Sequence, residues 1–307
     1  MSALRRVTVK VPATIANLGP GFDALGLAVR FYNVLTVERA ERTEVTVTGA
    51  GADRLPRDGR NLVLRTAEEV AQKAGRALGP LRVTQRNAIP LRRGLGSSAA
   101  AIAGGTVAAN ALLGDPLPLG ALLDLACGLE GHPDNVTPAL VGGLVACTLD
   151  GGRVRWAKVD VRGTWRLVLA IPEVEVSTAE ARRLLPQTVP FPDAVFNVGR
   201  AALLVAALTG DRPDLLGAAT QDRLHQPYRR PLVPWLEAVM DAARGAGAYG
   251  VMLSGSGPTV AAFAPDGACG EAMQRALAGA GVACQIVVTE IDPEGARVVK
   301  EDNPVRV

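Results

Sequence analysis

The sequence predicts an α+β protein with two domains, and three observations support this prediction. First, 307 residues can bury one large hydrophobic core or two medium ones, and two domains are the usual arrangement at this length. Second, strand-like and helix-like segments alternate along the chain, which is typical of sheets covered by helices on one face. Third, the turn Asp150-Gly151-Gly152 and the stretch up to Arg162-Gly163 separate two such sets of segments. We therefore expect an N-terminal domain at 1–160 and a C-terminal domain at 161–307.

The N-terminal half is predicted to mix strands with helices. Segments rich in β-branched residues predict strands at 7–11, 36–38, 45–48, 81–84 and 143–149. A helix is predicted over 61–76, because its apolar residues recur on one helical face: Val63, Ala67, Val70 and Ala74. A second helix is predicted over 119–129 and ends at Glu130-Gly131, since glycine is a natural helix stop. The uncharged run 94–114 is too weakly apolar to span a membrane, and we expect it to be a buried helix.

The C-terminal half continues the alternation. Strands are predicted at 167–171, 249–253, 259–263 and 285–289. Helices are predicted at about 178–185, 193–209, 233–246 and 270–280. The stretch after Ile291 is polar, and we expect it to be loosely held.

The most informative segment is a glycine-rich turn that leads directly into an alanine-rich helix start, Pro90-Leu91-Arg92-Arg93-Gly94-Leu95-Gly96-Ser97-Ser98-Ala99-Ala100. Glycines let the backbone bend sharply and approach a ligand closely. The first turn of a helix offers unpaired N–H groups and a positive dipole end to an anion. Serine hydroxyls there can cap the helix or contact a phosphate-bound magnesium ion. The segment therefore predicts a nucleotide-phosphate loop.

Other glycine motifs fit this segment less well. The chain has no Gly-Lys pair, which excludes a Walker A loop. Residues 94–99 match the loose dinucleotide pattern G-x-G-x-x-A, which needs a strand directly before the turn and an acidic residue about 20 positions later. Here Pro90 and two arginines precede the turn, and the nearest acidic residue, Asp115, lies in another turn. A serine hydrolase is disfavoured, because Ser254 and Ser256 do not fit G-x-S-x-G.

Glu130-Gly131-His132-Pro133-Asp134-Asn135 places four functional side chains within six positions, just after a predicted helix end. The residues alone leave two interpretations open. In one, a carboxylate binds Mg²⁺ while His132, Asp134 and Asn135 hold a polar substrate. In the other, Asp134 caps the next helix and His132 is a core histidine. Zinc is disfavoured, because His225 is the only other histidine and hard oxygen ligands suit magnesium better.

Two further loops carry small and polar residues. Asn17-Leu18-Gly19-Pro20-Gly21-Phe22-Asp23 follows the first predicted strand, and Ser254-Gly255-Ser256-Gly257-Pro258 joins two later ones. Each can be a ligand loop or an ordinary turn. Arginines can clamp a carboxylate bidentately, although single arginines are more often surface residues. The candidates are Arg182, Arg223 and Arg229.

Composition restricts the class of partner and the compartment. The net charge of +3 is too small to predict nucleic-acid binding, and the arginines are scattered rather than gathered into a stripe. The cysteines lack C-x-x-C spacing and lie in apolar surroundings, so we expect buried thiols in a reducing cytosol: Cys127, Cys147, Cys269 and Cys284. No N-terminal signal precedes the first strand, which favours a cytoplasmic protein without a membrane partner.

Several separated segments together resemble one family. Residues 90–100, read as Pro-x-x-x-Gly-Leu-Gly-Ser-Ser-Ala-Ala, resemble the phosphate loop of the GHMP kinases, and residues 254–258 resemble their C-terminal glycine motif. Residues 12–23, 131–136 and 225–229 resemble the branch of this family that phosphorylates homoserine. The resemblance extends over about residues 7–290. The combination is far more specific than any single motif.

The resemblance implies a two-domain GHMP kinase fold. A domain like domain 2 of ribosomal protein S5 would hold the nucleotide, and a ferredoxin-like C-terminal domain would close the site. It implies transfer of the γ-phosphoryl group of ATP, with Mg²⁺, to the side-chain hydroxyl of L-homoserine in threonine biosynthesis. A helix N-terminus, a cation and backbone N–H groups supply the positioning and charge neutralisation that phosphoryl transfer needs. A homodimer is common in this family.

By motif position, the resemblance also implies roles for single residues. The ATP-binding set is Asn61, Leu62, Val63, Pro90, Arg93, Gly94, Leu95, Gly96, Ser97, Ser98 and Ala99. Ser98 and Glu130 are expected to hold Mg²⁺. The expected amino-acid pocket consists of Asn17, Asp23, His132, Asp134, Asn135, Arg182, Arg229 and Gly255. Asp23 suits the substrate ammonium, the two arginines suit its carboxylate, and Asn135 suits the attacking hydroxyl.

The expected catalytic set is Asn135, Asp23, Ser98 and Glu130, and it leaves alternatives open. Some branches of the family use an aspartate base, whereas the homoserine branch is thought to pass the proton to phosphate; Asp23 as a base is therefore the less favoured hypothesis. Arg92 replaces a residue that is usually small, and either contacts phosphate or points to solvent. A mevalonate or sugar kinase is disfavoured by the charges that match a zwitterion. A non-catalytic nucleotide-binding paralogue is disfavoured by the presence of Ser98 and Glu130.

Overall fold

The computed structural model describes residues 4–299, which form two β-sheets with helices packed on them. Within these residues the first sheet has seven strands in the order β11-β1-β2-β4-β3, with β5 paired to β2 and β6 to β5. The strands of this sheet are β1 (Arg6–Ala16), β2 (Leu25–Arg39), β3 (Glu44–Gly49), β4 (Leu81–Asn87), β5 (Leu144–Asp150), β6 (Arg153–Val159) and β11 (Arg297–Val299). Pairing is antiparallel except between β3 and β4.

Helices cover one face of this sheet: α1 (Leu62–Lys73), α2 (Ser97–Leu112), α3 (Leu119–Glu130) and α4 (Pro133–Val141). The central helix α2 is buried along most of its length and packs against α1 and β1. Its small residues permit this close packing: a Cβ on Gly104 would overlap the Leu35 side chain. The prediction that the uncharged run is a buried helix is confirmed.

The second sheet has four antiparallel strands within the described residues, in the order β10-β7-β9-β8. These strands are β7 (Arg166–Pro172), β8 (Gly250–Leu253), β9 (Val260–Ala264) and β10 (Cys284–Thr289). The helices of this half are α5 (Thr178–Arg183), α6 (Phe191–Thr209), α7 (Pro213–Ala219), α8 (Gln226–Arg229), α9 (Leu236–Gly245) and α10 (Cys269–Gly279). Val239 of α9, Met273 of α10 and Val251 of β8 belong to the buried core of this half.

The α+β prediction is confirmed, and most predicted elements are present with shifted ends. Patterning missed α4, β6, α7, α8 and β11. The prediction that the chain after Ile291 is loosely held was wrong for the described residues 292–299, because β11 pairs with β1 and Asp292 is only 1% exposed. We keep a domain division at 1–160 and 161–307 as a proposal. It falls between β6 and β7, which belong to different sheets, whereas β11 of the second part returns to the first sheet.

Two further predictions, on the cysteines and on membrane-spanning helices, can be compared with the structure. The four cysteines are free thiols, three of them buried. In the part of the chain that the structure describes, one helix, α6, is long and apolar enough to cross a membrane by length and composition. Its exposed apolar residues include Phe191, Val195 and Val198. A single helix of this kind is weak evidence for a span.

Candidate active site

The predicted phosphate loop connects β4 to α2 and lies between the two sheets. Gly94 and Gly96 have positive φ angles of 73° and 66°, which residues other than glycine rarely adopt. A Cβ on Gly94 would overlap the backbone oxygen of Ser254, and one on Gly96 would overlap the Thr14 hydroxyl. Thr14 N donates to Leu95 O at 3.2 Å, and Ser254 Oγ donates to Gly94 O at 2.6 Å. The two glycines are therefore required for the loop to fit at this position.

Helix α2 begins where this loop ends. Gly96 is its N-cap residue, and a glycine has no side chain with which to cap the helix. Ser97 and Ser98, the first two residues of α2, line a polar cleft. The N–H groups of a first helical turn and the positive dipole end of the helix favour a bound anion. This arrangement can accept a phosphate group.

Ser98 and Glu130 form the pair that sequence resemblance assigns to Mg²⁺. Glu130 is the last residue of α3, and Ser98 Oγ donates to its Oε2 at 2.8 Å. Burial raises the pKa of Glu130 and outweighs the opposing hydrogen bond from Ser98. Among residues 4–299 no group of three His, Cys, Asp or Glu side chains could hold a metal by itself. One carboxylate and one hydroxyl still fit magnesium, which usually keeps several waters and binds few protein ligands beside phosphate.

The segment after α3 brings three polar side chains to the cleft. Asp134 is 2% exposed, and its Oδ1 lies 2.8 Å from His132 Nδ1. Burial alone would lower the pKa of His132, but the hydrogen bond and negative charge of Asp134 outweigh burial and raise it. Thr14 Oγ1 donates to Asn135 Oδ1 at 2.7 Å. This bond fixes the amide, so Asn135 keeps its Nδ2 donor for a ligand.

Asp23 and Arg182 meet from opposite halves of the chain. Asp23 lies between β1 and β2, Arg182 lies on α5, and two hydrogen bonds join them at 2.7 and 3.0 Å. Asp23 has a positive φ of 55°, which aspartate tolerates better than most residues. Asn17 supports this backbone, because its Oδ1 accepts from Asp23 N at 3.1 Å while its Nδ2 donates to Gly255 O at 3.1 Å. The negative charge expected to bind a substrate ammonium and a positive charge expected to bind its carboxylate are thus both present. In this structure the two charges pair with each other.

Arg229 is the second predicted carboxylate ligand and is 2% exposed. Burial lowers its pKa to about 10, so the guanidinium remains charged at neutral pH. Phe22 lies between the two arginines, with the guanidinium carbons of Arg182 and Arg229 at 5.4 and 5.5 Å from its ring centre. An aromatic face at this distance attracts cations. Phe22 therefore helps to hold two like charges in one cleft.

One cleft of about 150 Å³ contains most of the predicted site. Its predicted members are Asn17, Asp23, Arg93, Gly94, Leu95, Gly96, Ser97, Ser98, Glu130, His132, Asp134, Asn135, Arg182, Arg229 and Gly255. A neighbouring cavity of about 410 Å³ includes Asn61, Leu62 and Leu91. Arg92, Ser97 and Ser98 line both, so the two cavities adjoin at the start of α2. A cavity of about 560 Å³ beside Lys158 and Trp165 contains none of the predicted residues.

A few predicted residues lie outside these cavities. Val63 and Ala99 are fully buried, and neither they nor Pro90 line the cleft or its neighbour. Asn61 lines the neighbouring cavity, but its amide is used by the fold: Oδ1 caps α1 and Nδ2 donates to Pro56 O and Gln85 Oε1. Arg223 is absent from both linings and pairs with Asp193 at 3.0 Å.

Sequence reasoning missed several residues around the site. Thr14 and Phe22 lie inside a quoted motif, yet nothing in the motif indicates their roles. Arg54 lines the neighbouring cavity and binds Glu175 at 2.6 Å, from a loop after β7. Glu175 also lies 3.6 Å from Arg93 and 3.8 Å from Arg92. No local signal could have predicted this cluster, because its members are far apart in sequence.

Comparison with known proteins agrees with this geometry. The family model described as "GHMP kinases N terminal domain" matches residues 61–143, and "GHMP kinases C terminal" matches residues 203–283. A homoserine kinase from Carboxydothermus hydrogenoformans is 47% identical over 94% of this chain and 96% of its own length. One from Deinococcus radiodurans is 46% identical over 85% of both chains.

Solved structures give the same result. The homoserine kinase from Cytophaga hutchinsonii has a TM-score of 0.88 at 30% identity, covering 97% of this chain and 99% of that one. Mevalonate kinase from L. major has a TM-score of 0.72 at 17% identity, covering 93% and 96%, which shows a shared fold only. The chain therefore belongs to the GHMP kinase family, in the branch of the homoserine kinases.

Proposed function

We propose that this protein transfers the γ-phosphoryl group of ATP to the side-chain hydroxyl of L-homoserine and forms O-phospho-L-homoserine for threonine biosynthesis. The observation that carries the proposal is the content of the polar cleft. A glycine-bounded helix N-terminus lies in it beside the Asp23 carboxylate and the guanidinium groups of Arg182 and Arg229. An anionic phosphoryl donor matches the helix N-terminus, and a zwitterionic acceptor matches the charged side chains.

The nucleotide occupies the start of α2 and the neighbouring cavity in this proposal. Its phosphates accept from the N–H groups of the first turn of α2, where the helix dipole also favours negative charge. The base lies toward Leu62 and Leu91, in the more spacious cavity. Arg93 lines the cleft and is 15% exposed, which suits it to neutralise phosphate charge.

Ser98 and Glu130 would hold Mg²⁺ through a hydroxyl and a carboxylate oxygen. When bound, the ion supplies charge neutralisation for phosphate oxygens. The hydrogen bond from Ser98 to Glu130 keeps both oxygens at the same end of the cleft. The protein residues therefore prepare the site before any cation enters.

The acceptor amino acid lies between the two halves of the chain. Its ammonium pairs with Asp23 and its carboxylate with Arg229 and Arg182, so the substrate inserts its own charges into an existing ion pair. The Nδ2 group of Asn135, oriented by Thr14, binds the side-chain hydroxyl. This positions the nucleophile near Gly96, since a Cβ at that glycine would lie 3.0 Å from Asn135 Oδ1.

The reaction needs no separate protein base in this proposal. The hydroxyl oxygen forms a bond to the γ-phosphorus while the bond to the bridging oxygen of ADP breaks, and the hydroxyl proton passes to the transferred phosphoryl group. Two carboxylates of the cleft are already engaged, Asp23 with Arg182 and Asp134 with His132. The protein contributes orientation and charge stabilisation.

A coupled ADP-release assay tests this proposal with L-homoserine, L-threonine, mevalonate and galactose in parallel, in the presence of ATP and Mg²⁺. We expect rapid turnover with homoserine alone. Turnover with mevalonate or galactose instead would overturn the acceptor assignment and keep the kinase chemistry. ATP binding without turnover of any acceptor would favour a non-catalytic nucleotide-binding protein.

The same proposal includes a cytoplasmic location and a homodimer, which are common features of such biosynthetic kinases. Light scattering on the purified protein measures the assembly directly. A monomer at working concentrations would contradict the homodimer without affecting the proposed reaction.

A further inference from the structure

Behind the polar cleft lie two buried polar side chains that the proposed reaction does not use, those of His225 and Asp222. His225 is 0% exposed and is the N-cap residue of α8, and Arg229 is the last residue of that helix. The side chain of Asp222 is also fully buried. The energetic cost of burying so many polar atoms is offset only when they satisfy one another.

The hydrogen bonds of His225 define its tautomer. Its Nε2 lies 2.7 Å from Gly19 O, and a carbonyl oxygen can only accept, so Nε2 carries the proton. Its Nδ1 lies 3.0 Å from Arg229 Nη1, which can only donate. Nδ1 must therefore present its lone pair to Arg229. Burial lowers the pKa of His225 to about 4, which agrees with a neutral ring.

Asp222 fixes the backbone that carries this histidine. Its carboxylate accepts from the backbone N–H groups of Leu224, His225 and Gln226, at 2.9, 3.0 and 2.7 Å. It also accepts from Asn197 Nδ2 of α6 at 2.7 Å. These bonds fix the start of α8, and with it the position of His225 relative to Arg229.

The guanidinium of Arg229 is held at one nitrogen and lines the cleft. Nη1 donates to both His225 Nδ1 and Gly255 O, the latter at 2.7 Å. Nε has no hydrogen-bond partner among the described residues. The ring of Phe22 lies 5.4 Å from that of His225 and faces the guanidinium. Arg229 is thus anchored on one side and retains donor capacity for a ligand in the cleft.

We propose that His225 is a positioning residue, whose Nδ1 lone pair holds the Arg229 guanidinium in the orientation that binds the carboxylate of the acceptor. The inference rests on the proposed function, since it assigns the ligand of Arg229 from that reaction. It adds a reason for a histidine at this position. Its ring supplies a donor toward Gly19 and an acceptor toward Arg229 at once.

Two substitutions separate these hydrogen bonds. Asn places an acceptor oxygen near the position of Nδ1, so His225→Asn keeps the contact to Arg229 and loses the donor to Gly19. Gln reaches the position of Nε2 with a donor, so His225→Gln keeps the contact to Gly19 and loses the acceptor. We expect His225→Gln to raise the KM for homoserine about tenfold or more, and His225→Asn no more than about threefold. The KM for ATP should change less than about twofold in both.

A double-mutant cycle tests whether the effect passes through Arg229. In the Arg229→Ala background, His225→Gln should produce no further rise in the KM for homoserine, because coupled residues are not additive. Full additivity would overturn the proposal, as would equal KM values for the two His225 variants or a parallel rise in the KM for ATP. Absence of homoserine turnover by the wild-type enzyme would instead count against the proposed function.

A measurement on the unmodified protein keeps the proposal testable even if a variant does not fold. The chain has only two histidines, so their ¹⁵N resonances can be assigned by comparison with a His132→Gln variant. We expect His225 to carry its proton on Nε2 at neutral pH. A proton on Nδ1 would overturn the proposal.

Discussion

Asp23 and Arg182 form a two-bond ion pair between a loop of the first sheet and a helix of the second, with N–O distances of 2.7 and 3.0 Å. Both side chains are about one-third exposed, at 33% and 36%. An exposed ion pair contributes little to stability, so its main consequence is local. It presents opposite charges to an acceptor that carries the same two charges.

Asp23→Asn distinguishes an ammonium ligand from a base. If Asp23 binds the ammonium, the KM for homoserine should rise roughly 10- to 100-fold, because a charge-assisted hydrogen bond is lost, and kcat should fall less. Steady-state kinetics with both substrates measures the split. The matched control is Asp214→Asn, which removes an exposed carboxylate paired with Arg212. A fall in kcat of about 10²–10⁴ at saturating homoserine would instead identify Asp23 as the base.

Glu130→Ala should lower turnover by about 100-fold or more, because phosphoryl transfer depends on charge stabilisation near the phosphates. The fold should stay intact, and circular dichroism should match that of the wild type. Glu69→Ala, at an exposed position on α1, is the control and should retain normal turnover. Wild-type turnover of Glu130→Ala at limiting magnesium would remove Glu130 from the proposed metal site.

Arg92→Ala should raise the KM for ATP roughly threefold to fivefold, as expected for an exposed charge, and leave the KM for homoserine unchanged. Arg92 lines both cavities, is held at a positive φ of 54°, and faces Glu175. Kinetics at two salt concentrations check the electrostatic origin, since added salt should reduce the difference. Arg57→Ala, which removes an exposed arginine outside both cavity linings, is the control. An unchanged KM for ATP would mean that Arg92 only faces solvent.

Gly94→Ala should destabilise the protein and abolish activity. The left-handed conformation alone costs about 1–2 kcal/mol for a residue with a Cβ, and the overlap with Ser254 O adds to this. Gly128→Ala is the matched control, because nothing lies within 4 Å of its Cβ and it is inside α3. It should stabilise by about 0.5–1 kcal/mol. Chemical denaturation of both variants measures the difference, and equal stabilities would contradict the packing described for the loop.

The burial of His225 also leads to a prediction of how the stability of the fold depends on pH. Its pKa falls from 6.5 to about 4 on folding because of burial, with Asp222 and Asp23 opposing and Arg229 adding to the effect. Between these values the unfolded chain binds more protons than the folded one, so stability should fall as pH decreases from about 6.5 to about 4. The loss is on the order of 3 kcal/mol. Denaturation measured across this pH range should show that the free energy of unfolding depends less steeply on pH in His225→Gln than in the wild type. Identical slopes for the two proteins would contradict this prediction.

The phosphate loop and the α+β class were predictable because both depend on local sequence. Gly94 and Gly96 precede an alanine-rich run, and this pattern specifies a turn followed by a buried helix. The Asp23–Arg182 pair could not be predicted by spacing, since 159 residues separate its members. The same holds for Glu175 and its arginines, which the fold brings together through backbone pairings far apart in sequence.

The last strand was missed for a different reason. Polarity after Ile291 suggested a loose tail, but Asp292 is buried because Tyr32 Oη and the backbone N–H groups of Glu294 and Gly295 donate to its carboxylate. In the sequence alone, a buried carboxylate whose oxygens accept hydrogen bonds in this way cannot be told from a solvent-exposed one. Only the long-range donor distinguishes the two, and it is the Tyr32 hydroxyl on β2.

The return of the chain to β1 makes the second sheet an insertion within the first. The chain leaves the first sheet after β6 and comes back after β10, where Asp292 N donates to Ala28 O at 2.9 Å and Ile291 bridges Val29. The two sheets are therefore held by two chain connections and by one hydrophobic core, to which Leu167 and Phe263 of the second sheet contribute. Opening the cleft far enough to separate Asp23 from Arg182 would strain both connections and disturb that shared core.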